Sequence, residues 1–77
     1  MTGMLWFDND PKRPLEDKVQ RAAQHYQVKN GRAPNLCCVH PSLAKVEKIG
    51  EVTIRAMREV MPNHFLIGVE DRHVVAG

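Results

Sequence analysis

A chain of 77 residues with 43% hydrophobic and 26% charged residues has room for one core and the composition of an ordinary globular domain, which excludes two domains, a disordered tail and a coiled coil. The formal net charge of +2 is too small to argue for a nucleic-acid partner by itself. A domain this short buries only about 60% of the surface its unfolded chain exposes, so a metal, a disulfide or a second subunit is expected to supplement the core.

The two cysteines, Cys37 and Cys38, are adjacent and cannot close the loop that staples a small secreted domain. No stretch approaches the roughly 18 apolar residues that span a bilayer. The apolar run at Met4 is short and followed at once by Asp8 and Asp10, unlike a signal peptide. The expected setting is cytoplasmic, with no membrane contact.

In chain order, Met4-Leu5-Trp6-Phe7 is apolar throughout and predicts a first strand over 4–7. Asp8-Asn9-Asp10-Pro11 breaks it with turn-forming side chains. Pro14 suits the first position of a helix, and Glu16 and Asp17 complement its positive end. Leu15, Val19, Ala22, Ala23 and Tyr26 follow the i, i+4, i+7, i+8, i+11 spacing of one apolar stripe. Gly31 ends that helix, which is predicted over 14–30.

Leu36-Cys37-Cys38-Val39 predicts a second strand, over 35–39, apolar on both alternating faces and therefore interior. Strand, helix and strand in succession predict a parallel pair with a right-handed crossover. Pro41 to Val46 suggests one helical turn with Ser42 near its start. Residues 51–60 alternate, Pro62-Asn63 suits a tight turn, and 64–69 put Phe65, Ile67 and Val69 on one face. The third and fourth strands are thus predicted to form an antiparallel hairpin. Residues 70–77 read as a tail that frays, with Val74 and Val75 as a weak edge pairing. The fold class is α+β, in the order β-α-β-β-β. One long helix packs on one face of a mixed four-stranded sheet, and the other face is polar, covered by connections or buried against another chain.

Three sites follow from this frame. The parallel pair brings Asp8 and Asp10 to the same sheet edge as His40 and Ser42, the edge where open α/β sheets bind ligands. Two carboxylates there suit Mg²⁺, with His40 as base for water attacking a phosphate ester. A strand ending in Asp-x-Asp is similar to the pattern of phosphatase-like folds, although no lysine or further carboxylates follow at matching places. The second is a metal site on Cys38 and His40, which share a strand face, with His64 reaching in from a neighbour. Cys37 falls on the opposite face, and a cysteine in an interior strand behaves as a small hydrophobe. The third is an anion or nucleic-acid surface on Lys18, Arg21, Lys29, Arg32, Arg55 and Arg58. Between Lys12 and Arg58 ten basic residues stand against four acidic ones, a field that steers anionic partners.

No motif implies a cofactor, and none is specific enough to name a reaction. The leading expectation is a small non-catalytic binding or assembly module, a homo-oligomer or part of a larger protein complex. A thinly covered sheet leaves an apolar face and two strand edges for such contacts, and Met57 and Met61 suit an adaptable interface. A metal-dependent phosphoester hydrolase and a nucleic-acid adaptor are the alternatives.

Overall fold

The computed structural model describes residues 2–70. In chain order they form β1 (Thr2–Phe7), α1 (Leu15–Asn30), β2 (Leu36–Val39), a 3-10 turn (Pro41–Leu43), β3 (Lys48–Ile49), β4 (Val52–Ala56) and β5 (His64–Val69). Beyond Glu70, the expected tail and the Val74 and Val75 pairing lie outside the described residues.

The stripe that predicts α1 is the face it buries: Val19 and Ala22 are wholly enclosed and Tyr26 nearly so. Pro14 stands at the N-cap, in extended conformation with ψ 160°, and not inside the helix. Residues before the first turn are free to be extended, and proline has no N–H to lose there. Gly31 closes the other end with φ 70°, its N–H donating to the Gln27 carbonyl at 2.8 Å.

The α+β class holds, with five strands in the order β1-β5-β2-β4-β3 in place of four. The additional strand, β3, pairs antiparallel with β4 through Lys48↔Thr53 and Ile49↔Val52. The Gly50 that reads as a chain break is the first residue of their two-residue turn, at φ 58°, where glycine carries no steric cost. A two-residue strand offers no alternation to read, which is why it escapes a pattern search.

The expected hairpin of the last two strands does not form. β4 pairs with β2 in parallel and β5 pairs with β2 antiparallel, so β2 separates them. All four β2 residues are buried, and a strand apolar on both faces gains most with a neighbour on each edge. β2 therefore takes the centre, and the connection from β4 to β5 crosses it. β4 is also shorter than predicted, at Val52–Ala56. Its ladder to β2 closes when the Met57 N–H donates to the Val39 carbonyl at 2.7 Å, and a turn with Val60 N–H on the Met57 carbonyl at 3.1 Å follows. That turn lays Val60 against Leu36 and Cys38. Pro62 and Asn63 do form the second turn, with Asn63 at φ 67° and His64 N–H on the Met61 carbonyl at 3.0 Å.

β1 and β2 run the same way, as predicted, because each is antiparallel to β5. They are not neighbours, since β5 lies between them. Alternation then sorts the side chains. Met4 and Trp6, Cys37 and Val39, Val52 and Ile54, and Phe65, Ile67 and Val69 pack with α1. On the opposite side Leu36, Cys38 and Leu66 pack with Val60 and Met57, and no helix among the described residues covers that side.

Candidate functional site

The Asp8-Asn9-Asp10 turn leaves β1 at the edge where β2 also ends. Asp8 is buried at 8% exposure and both of its oxygens are occupied. The Asp10 N–H donates to Oδ1 at 3.0 Å, and Arg13 Nη1 donates to Oδ2 at 2.8 Å. Asp10 in turn accepts the Lys12 N–H at 2.9 Å and lies 3.6 Å from Arg13 Nη2. The Asp10 N–H bond holds the Asp8 carboxyl below its ordinary range against the opposing effect of burial, and the Arg13 guanidinium adds to the lowering. A metal on these carboxylates would have to displace Arg13. Arg13, five residues from Asp8, completes this cluster; the sequence offers Lys12 and Arg13 side by side after the acidic turn and does not tell which of them turns back.

His40 leaves the end of β2 and caps the following 3-10 turn. Its Nδ1 accepts the Ser42 N–H at 3.1 Å and lies 2.8 Å from Ser42 Oγ. Asp8 and His40 share a sheet edge, but the intervening β5 places their strands two spacings apart, about 9.5 Å. His64 begins β5, where its ring meets Phe7 at 4.9 Å and its Nδ1 lies 3.1 Å from the Pro62 carbonyl. Cys38 is fully buried beneath Val60, and its thiol is pushed up by that burial. Cys37 lies on the α1 side, where burial pushes its thiol up to about 12. Among the described residues no three His, Cys, Asp or Glu side chains come together as a metal site needs.

The six basic residues do not form one surface. Lys18, Arg21 and Lys29 lie on α1 and Arg32 in the turn after it. Arg55 alternates with Val52 and Ile54, so it faces the opposite side of the sheet, and Arg58 follows in the turn beyond β4. Arg55 is held by both Glu70 oxygens, at 2.7 and 3.0 Å. Glu70 is itself pinned by Asn35, whose Oδ1 accepts the Glu70 N–H at 2.8 Å and whose Nδ2 donates to the Glu70 carbonyl at 3.0 Å.

The helix-free side is divided. At the β3 and β4 end it is polar, built of Lys48, Thr53, Arg55, Asn35 and Glu70. Toward β1 it is mainly apolar, with a shallow depression lined by Leu5, Leu66, Met57, Val60, Met61 and His64 together with the acidic Glu59. Leu5 is 61% exposed, Phe7 55% and Met61 67%; Leu5 stands opposite Leu66 in the ladder and two residues from Phe7 on the same face. Val28 on α1 and Val46 in the loop before β3 are also exposed, but single apolar side chains at a surface are ordinary. Of the two methionines the sequence marks for an interface, Met61 is exposed on this side while Met57 packs against Leu36, Cys38 and Val60; Phe7 also faces this side, whereas Trp6 turns toward α1 and meets the His25 ring at 4.4 Å. Leu5 shares this face with Phe7 by the same alternation.

No helix among the described residues is long and apolar enough to cross a membrane. No protein-family model, curated protein or solved structure matches the chain.

Proposed function

We propose that the chain is a non-catalytic protein-association module that binds a second copy of itself through the apolar, β1 end of its helix-free sheet side. The observation that carries this reading is the clustering of Leu5, Phe7 and Met61, each more than half exposed, around Leu66 on a sheet that carries one helix among the described residues. Covering side chains of this size is worth about 1.5 to 3 kcal/mol each when complete, and contiguous exposed apolar patches mark interaction sites. The carboxylate turn, His40 and His64 hold partners within the chain, so they support a structural role more than a catalytic one.

Sedimentation velocity of the unmodified chain and of Phe7→Lys tests the reading. The unmodified chain should sediment increasingly as a dimer through the micromolar range. Phe7→Lys should stay monomeric with little change in Tm, since the ring contributes nothing to the buried core. A unmodified chain that stays monomeric, or a variant that associates equally well, contradicts it.

A further inference from the structure

The two ends of the sheet differ. β3 ends it with two residues, exposed Lys48 among them, and short, charged edges resist pairing. β1 ends it with six residues, Thr-Gly-Met-Leu-Trp-Phe, without a charge, a proline or a bulge in its register with β5. Among the described residues its strand neighbour is β5 alone.

The direction of the free backbone groups follows from one bond. The Asp8 N–H donates to the Asn63 carbonyl at 2.9 Å, one step beyond the Phe7↔His64 pair. In an antiparallel ladder bonded and non-bonded pairs alternate, so Trp6 and Met4 also bond toward β5. The N–H and C=O groups of Gly3, Leu5 and Phe7 point outward from the sheet. The close Phe7 and His64 rings, at 4.9 Å, fit the shorter spacing of a non-bonded pair.

We infer that two copies join β1 to β1 antiparallel about a two-fold axis at Leu5, making one continuous ten-stranded sheet. This rests on the self-association proposed above and supplies its geometry. With Leu5 opposite Leu5 of the second copy, Gly3 stands opposite Phe7 and Phe7 opposite Gly3. The three bonded pairs exchange six N–H to C=O hydrogen bonds and use every outward group between Gly3 and Phe7.

The side chains suit this register as well as the backbone does. Gly3 is exposed and has no side chain, which leaves room for the opposing Phe7 ring, the pairing by which aromatics cover edge glycines. The two Leu5 side chains meet at the axis, flanked by the two rings. On the α1 side, Met4 stands opposite Trp6 in both non-bonded pairs, a favourable sulfur and aromatic combination. The strand is neutral, so a second copy meets no like charge, and a charged foreign strand finds no counter-charge. An isologous contact also closes on itself and does not propagate.

Leu5→Pro isolates the hydrogen bonds, because the Leu5 N–H points outward and proline there removes no bond to β5. Leu5→Ala is the control that removes the side chain alone. In sedimentation equilibrium, Leu5→Pro should raise the dimer Kd at least tenfold beyond Leu5→Ala. The unmodified dimer should protect the Gly3, Leu5 and Phe7 amides from hydrogen exchange, and dilution to monomer should release them. If a dimer forms while those amides exchange freely, or if the proline and alanine variants associate alike, the edge pairing is overturned and the self-association stands. If the unmodified chain remains monomeric, both fall.

Discussion

Asp8 is a buried carboxylate whose charge is compensated on all sides, and its role in folding has a definite pH signature. A carboxyl held below its ordinary value of 3.8 stabilises the fold above that value and ceases to do so as the pH falls through the lower, folded value. The chain should therefore lose stability steeply in acid. Asp8→Asn keeps an oxygen for the Asp10 N–H but loses the charge that faces Arg13, so it should be less stable at neutral pH and show a flatter decline in acid. Thermal unfolding of both proteins from neutral pH downward measures this, and identical pH profiles would contradict it.

The cysteines make the complementary case. Burial disfavours a thiolate, and the thiolate is the reactive form, so neither thiol should react with an alkylating reagent in the folded protein, while both should react in denaturant. Fast modification of native Cys38 would show that the Val60 turn opens. Cys37, pushed up to about 12, should also make the fold less stable above the ordinary thiol value of 9.0, because there the unfolded chain loses a proton that the folded chain keeps.

Among the elements, α1 is the one whose limits can be tested most simply. Gly31 lies at φ 70° with nothing within 4 Å of the position a Cβ would take, so only the backbone resists substitution. Gly31→Ala should cost about 1 to 2 kcal/mol, read as a fall in Tm without loss of the helix, and an unchanged Tm would contradict the role given to this cap. The helix was legible because it has a long period, a glycine after its end and acidic residues in its first turn. Strands β1, β2 and β5 were legible for similar reasons: each has an unbroken apolar run or a clean alternation. What the alternation of 51–60 and 64–69 does not carry is which strand stands beside which, because side-chain pattern sets the face of a strand and not its neighbour. Only the four apolar residues of β2 hint that it needs partners on both sides. The candidate site followed the same division. Placing Asp8 and His40 at one edge needs only strand direction, and β1 and β2 do run the same way. Seeing them kept apart needed the strand order, and seeing Asp8 closed by Arg13 needed the path of a turn with no regular period.

At the scale of the molecule, the described residues set one helix over five strands and leave a side that connecting segments cover in part. Val60 and Met57 cover Cys38 and Leu36, and the Arg55, Glu70 and Asn35 network occupies the polar end. The end nearest β1 keeps its apolar side chains exposed, beside the long, uncharged edge that β1 forms among the described residues. A second copy placed there pairs the free backbone of β1 and joins Leu5 and Phe7 of the two chains into one cluster across the seam. Such an arrangement fits a small domain whose own core is modest, since association adds buried area that a chain of this length lacks. Sedimentation equilibrium of the unmodified chain across the micromolar range tests this most directly: we expect a mass approaching twice the chain's 8.8 kDa as concentration rises, whereas a mass of one chain at every concentration would contradict it.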